Sequence, residues 1–370
     1  MDAAGEHPSE RRRGRPRRIW LLALAILVAG LVVFALSRLE LSKAGHALVN
    51  ADPAWLALAL LLMATSLLFR SVSWHEALRA ALPETPIRWA PVVRATMIGV
   101  MGNAVLPGRI GEPTRVLVLA RRIEGPNRRL VPIIAGTVFS QTLMNLIALA
   151  ILAGVTLTGA PLLKGHIAGI ATAVALPLLI VALVVYGPRL LRRGERARSP
   201  RLRAAAAALG RLLTLARRGL IVFASPARGI AAVGCQLFAW ALQCFSCYAV
   251  LQALHLSSHG GLVAAAAILL AVNLSAILPA TPSNVGVFQA ACLVVLAAYG
   301  VGSGPGLAYG ILLQAVEVIT ALALGVPALL GEGLSWSEIR QIGRESTRAE
   351  QGLEAELEGE PAPSAGERPQ

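Results

Sequence analysis

An all-α, polytopic membrane fold is what this sequence predicts, on three observations. Apolar residues make up 56% of the chain and charged residues only 15%, with a mean hydropathy of +0.66. A water-soluble surface of this size needs more charge. The apolar residues fall into uncharged blocks at 19–37, 130–163 and 167–188, each long enough to cross a hydrocarbon core of about 30 Å as a helix. The arginines gather between those blocks, as the positive-inside rule expects of cytoplasmic loops. That pattern also accounts for the net charge of +14, so no nucleic-acid partner is expected.

A basic tail at 1–18, with Arg11, Arg12, Arg13, Arg15, Arg17 and Arg18, places the N-terminus in the cytoplasm ahead of a first span at 19–37. The run is too long for the core of a cleavable signal and has no convincing small-x-small cleavage site, so it reads as an uncleaved span. A second span is expected at 54–73, returning to a loop with Arg79 and Arg88. The apolar segment 90–106 then poses a conflict. If it crossed, Arg109, Arg115, Arg121, Arg122, Arg128 and Arg129 would all lie outside. A hairpin that enters from the cytoplasm, turns at Leu106-Pro107-Gly108 and returns along 110–121 removes the conflict. Spans at 131–158 and 167–186 follow. The loop 187–228 carries eleven arginines against Glu195 alone, and 201–222 suits an amphipathic helix on the inner leaflet.

From 229 to 316 there is no Asp, Glu, Lys or Arg. A span at 229–252 is followed by apolar segments at 262–278, 286–300 and 306–330. The middle pair forms either two full spans or a second re-entrant hairpin, and both options leave the C-terminus cytoplasmic. In total about eight passes are expected, with one or two Pro-broken hairpins, over a membrane domain at 19–331. The polar, Glu-rich stretch 332–370 reads as a disordered tail.

The two broken elements are "NAVLPGRIGEPTR" and "NLSAILPATPSNVGVF". Proline stops a helix by removing an amide donor, and glycine lets backbones approach closely. Broken segments at corresponding places in two halves point to the site of an inverted-repeat transporter. Two unrelated kinked helices are the plainer reading, and the spacing is imperfect: Asn103 lies four residues before Pro107, Asn273 six before Pro279. Pro107, Gly108 and Gly111 in the first element, and Pro279, Pro282 and Gly286 in the second, are the candidate gate residues.

"GNAVLPGRIGEPTRVLVLARR" and "LPATPSNVGVFQAACLVVLAAYGV", together with the order of spans, resemble the lysylphosphatidylglycerol synthase transmembrane-region family of flippase-like proteins, over about 15–332. Asn103, Pro107, Gly108, Gly111 and Glu112 match its first motif, and Pro279, Pro282 and Gly286 its second. The resemblance implies movement of a phospholipid between leaflets, without the soluble aminoacyl-transferase domain, which has no counterpart here. Charged positions of the family are neutral in this chain: "FSQTLMN" has Gln141, Thr142 and Asn145, and the last span has Gln314.

Charges inside apolar segments nominate the ligand-facing groups. Glu317 alone is charged between Arg228 and Glu332, and such a carboxylate costs about 2.5–3.5 kcal/mol on insertion scales. It is expected to face a central cavity beside Gln314 and to pair with Arg109 or Arg115, or else to stay neutral and hydrogen-bonded to Gln314 or to backbone. Arg109 would hold a lipid phosphate, with Arg115 acting likewise, and Glu112 would orient that arginine or contact a cationic headgroup. Alternatively, both arginines reach the headgroup region. Asn103, Asn273 and Asn284 cap broken helix ends or contact headgroups.

The expected function is translocation of an anionic phospholipid or a polyprenyl-phosphate-linked lipid in a bacterial cytoplasmic membrane. No enzymatic activity, metal or cofactor is expected, since no nucleotide loop, metal-ligand set or nucleophile–base pair stands out. The rival is a non-transporting scaffold for a cell-envelope glycosyltransferase or synthase.

Overall fold

A computed structural model describes residues 46–105, 111–123, 127–159, 225–276 and 284–332. The expected spans at 19–37 and 167–186, the residues Pro107, Gly108, Arg109, Pro279 and Pro282, the helix at 201–222 and the tail after 332 lie outside them.

Among the described residues the chain is helical, without strands. The main helices are α1 (Pro53–Ala81), α2 (Trp89–Val105), α3 (Gly111–Ala120), α4 (Asn127–Gly159), α5 (Pro226–Ala253), α6 (Gly261–Ser275), α7 (Val287–Ala298) and α8 (Ser303–Glu332). Asp52 starts α1: its carboxylate accepts from the Ala54 amide at 2.8 Å, and Pro53 fills the first turn. The helix ends at Leu82, just before Pro83. A proline also opens α5.

Among the described residues, four helices are long and apolar enough to span a membrane: Pro53–Ala81, Leu130–Thr156, Ala227–Ala253 and Ser303–Glu332. Large apolar side chains stand on their outer faces, among them Leu61, Ile230, Ile319 and Leu330. Water would not tolerate such a surface, but lipid does. The second span is therefore longer than the expected 54–73.

The other four helices are short, with 17 residues in α2, 10 in α3, 15 in α6 and 12 in α7. At about 1.5 Å per residue, each falls short of a ~30 Å core. α2 packs on α3, and α6 on α7. The described residues of the 262–300 region thus form a pair of short helices, like those of 89–120, and neither helix is long enough for a full span.

The halves α1–α4 and α5–α8 repeat one arrangement. Exchanging each helix with the one four places later reproduces the principal packing pairs. α2 lies on α8 as α6 lies on α4, α3 lies on α4 as α7 lies on α8, and α1 lies on α5 across the centre. The two central helices run antiparallel. The Asp52 amide at the start of α1 donates to the Ala253 carbonyl at the end of α5, at 2.9 Å. At the opposite ends Arg228 donates to the Arg79 carbonyl. Equivalent helices of opposite direction make the repeat an inverted one.

Candidate functional site

The two halves meet around a cavity of about 310 Å³. α1 supplies Arg70, α2 Asn103, α3 Glu112 and Arg115, and α4 Gln141 and Asn145. From the second half come Gln236 and Gln243 on α5, Asn273 on α6, and Gln314 and Glu317 on α8; Asn284 lies before α7.

Arg115 is buried, and its surroundings explain how a cation is tolerated there. Its guanidinium forms an ion pair with Glu112, donates to Gln141 Oε1 at 2.8 Å and lies 4.8 Å from the centre of the Trp74 ring. Charge, hydrogen bond and ring face together replace part of its lost hydration. Trp74 is fixed in turn by donating to Thr137 Oγ1 at 3.0 Å. Gln141 passes the network on, donating to the Arg70 carbonyl at 3.1 Å and to Gln236 Oε1 at 3.3 Å. Gln236 and Trp240 both donate to Asn145 Oδ1, at 2.6 and 3.0 Å. Arg70 donates to Gln243 Oε1 at 2.9 Å and sits 5.8 Å from the Trp240 ring centre. Each guanidinium nevertheless keeps one buried Nε–H without an acceptor. Buried donors are seldom left so unless a ligand or water supplies the acceptor.

Arg70 and Gln243 are equivalent positions, each seventeen residues after the proline that opens its helix (53 to 70 and 226 to 243). Their hydrogen bond therefore joins the two halves at the centre of the repeat. Asn103 and Asn273 are equivalent too, each two residues before the end of its helix, Val105 or Ser275. Asn103 Oδ1 accepts from the Gly111 amide at 2.8 Å and so caps the first turn of α3 across the hairpin. Asn273 instead donates to the Leu269 carbonyl of its own helix.

Of the two arginines expected beside Glu317, Arg115 is engaged by Glu112 and Gln141, and Arg109 lies outside the described residues; the described guanidinium whose charge acts on Glu317 is that of Arg70. Glu317 and Gln314 do share one face, toward the cavity. Gln314 accepts from Gln289 of α7, which also accepts from the Gly286 amide at 2.7 Å.

With this geometry in place, a comparison with protein families matches residues 20–325 to the model described as "Lysylphosphatidylglycerol synthase TM region". The chain belongs to that family. No curated protein matches it. The matched region holds the whole cavity lining, including Glu317, while Glu332 lies beyond it. In this family member, cavity residues identified from the sequence are Asn103, Glu112, Arg115, Asn273, Asn284, Gln314 and Glu317. Arg70, Gln236 and Gln243 went unrecognised. Arg70 had a readable signal: it is the lone charge in the apolar run 53–74 and falls inside the helix once that helix continues to Ala81. Gln236 and Gln243 had a weaker one, two amides seven residues apart on one face of an uncharged span.

Proposed function

We propose that this family member moves the polar headgroup of an anionic phospholipid, or of a polyprenyl-phosphate-linked lipid, between the leaflets of a bacterial cytoplasmic membrane. In this reading it is a transporter rather than an enzyme, with both termini in the cytoplasm. One observation carries the reading. A polar cavity with two guanidiniums sits where the halves of an inverted repeat meet, and both guanidiniums have an Nε–H without an acceptor. Carrying a phosphate through a bilayer requires replacing its hydration with charge-assisted donors while the acyl chains stay in lipid. The short helix pairs α2/α3 and α6/α7 border the cavity through Asn103, Glu112 and Asn273, which suits them to gate it.

The test is a leaflet-accessibility assay in proteoliposomes with fluorescent phosphatidylglycerol. Wild-type protein should equilibrate the probe. Arg70→Ala and Arg115→Ala should slow it by about tenfold or more, the loss of about 1.4 kcal/mol of stabilisation in each case. Replacing the arginines between 189 and 203 with neutral residues should leave the rate unchanged. If protein-free, wild-type and variant vesicles exchanged lipid equally, the proposal would be refuted; a rate sensitive only to the loop arginines would favour the scaffold.

A further inference from the structure

The described ionisable groups that line the cavity are Arg70, Arg115, Glu112 and Glu317. Ionised, they carry two positive and two negative charges and cancel. The two carboxylates are not alike. Glu112 is fastened to Arg115 one turn along the same helix. Glu317 has no hydrogen bond, and no ion-pair partner within 4.0 Å, among the described residues; its charge acts on Arg70, which lines the same cavity. Helices packed against α8 present few other ionisable groups to it. α1 presents Arg70, α5 presents Cys247 and α7 presents Cys292. α2 lines the cavity with Thr96, Val100, Asn103 and Ala104, none of them ionisable. Its Arg94 is held by Glu332.

A phosphodiester entering this space brings one negative charge. It competes with Glu317 for Arg70 and leaves the described groups with one uncompensated negative charge in a medium that solvates charge poorly. The guanidiniums cannot adjust, because arginine keeps its proton. Glu112 cannot adjust without giving up Arg115. Glu317 can, by accepting a proton on one carboxylate oxygen. Charge again sums to zero, and Arg70 is released to the phosphate.

We propose that Glu317 takes up one proton whenever the cavity takes up an anionic headgroup, so that lipid anion and proton are carried together. The inference rests on the headgroup reading of the cavity given above. The proton comes from water on the side where lipid enters, forms one O–H bond on Glu317 and returns to water on the side where the lipid leaves. No other bond changes. A pH gradient thereby becomes a source of drive for lipid movement.

The proton can be counted directly. Purified full-length protein in detergent is titrated calorimetrically with dihexanoyl phosphatidylglycerol, dihexanoyl phosphatidic acid and geranyl phosphate, in buffers of different ionisation enthalpy. Dihexanoyl phosphatidylcholine is the zwitterionic control. Wild-type protein should take up about one proton per phosphatidylglycerol bound, and its affinity should fall by up to tenfold per pH unit as pH rises through the ionisation of Glu317. Glu317→Gln is isosteric and neutral, and should bind with no proton uptake and no such pH dependence. Wild-type binding without proton uptake would overturn the inference and leave the headgroup reading standing. Equal uptake by Glu317→Gln would overturn the assignment to this residue. Failure of the wild type to bind any of the three anions would remove the headgroup reading and the inference with it.

Discussion

Gly111 and Gly286 stand at the starts of α3 and α7, equivalent places in the two hairpins, and are required for different reasons. A Cβ on Gly111 would lie 1.9 Å from the Gly99 carbonyl oxygen and 2.6 Å from Asn103 Oδ1. Both neighbours are fixed, one as backbone and the other as the cap of α3, so the helices would have to separate. Gly286 has open space around it but a φ of +90°, so a side chain there meets backbone strain of about 1–2 kcal/mol and no collision. Gly111→Ala should therefore cost about 3 kcal/mol, the upper range of overpacking, and Gly286→Ala less. Thermal unfolding in detergent should show the larger drop in Tm for Gly111→Ala; the reverse order would reject close α2–α3 packing as the reason for glycine. Both glycines stand out in the sequence beside prolines, but the collision at Gly111 does not, because it depends on a carbonyl twelve residues earlier. Arg70 shows the opposite case. The sequence displays it plainly, but it looks like a span-end charge as long as the helix is stopped at 73. In the structure the helix runs on past 73, and Trp74 is fully buried against Arg115.

The two hairpins differ as elements in how their bases are tied down. α2 and the end of α3 are clamped to the last residue of α8. The Glu332 carboxylate meets Arg94 at 3.2 Å and Arg122 at 2.5 Å, and is itself only 3% exposed. A polar tie of α7 to α8 joins two neutral amides, Gln289 and Gln314. An exposed ion pair is worth about 0–1 kcal/mol, but one buried carboxylate shared by two guanidiniums exceeds that range. Glu332→Gln should loosen the first hairpin alone. Hydrogen exchange should speed up by about tenfold in the opening turns of α2 and at 121–123, as expected for ~1.4 kcal/mol of lost protection, while α6 stays unchanged. Equal acceleration in both hairpins would mean that Glu332 supports the whole bundle. Most helix positions were readable from uncharged run lengths and prolines, and the first hairpin from the positive-inside conflict. The second hairpin was not, because an uncharged stretch from 229 to 316 offers no loop charge to decide between a crossing and a return. Helix length decides it. The Glu332 clamp was also hidden, since it joins residues more than two hundred positions apart.

At the scale of the whole molecule, the proposed transport function calls for motion of a particular kind from the inverted repeat. In such a fold one half can adopt the arrangement of the other, and the exchange opens the cavity to opposite sides in turn. The sequence hinted at this through its paired broken elements, yet counting from the prolines misaligned Asn103 and Asn273; counting from helix ends aligns them. The centre and the periphery then have different tasks. α1 and α5, equivalent and antiparallel, cross where Arg70 bonds Gln243 and where Ser246 donates to the Ala59 carbonyl at 2.9 Å. A contact between equivalent helices near the repeat axis keeps its partners when the halves exchange arrangements. The contact of α2 with α8 is exchanged for that of α6 with α4 and must change. Tethers at the two places should therefore act differently. In a background with Cys235, Cys244, Cys247 and Cys292 replaced, a short thiol cross-link between Ala59→Cys and Ser246→Cys should leave most lipid exchange intact. One between Arg94→Cys and Glu332→Cys should slow it by about tenfold or more, with recovery on reduction, because it adds at least ~1.4 kcal/mol to the barrier for separating α2 from α8. Full exchange with the α2–α8 tether in place would rule out movement of the first hairpin against the last span. Arrest by the central tether alone would place the moving interface between α1 and α5 instead.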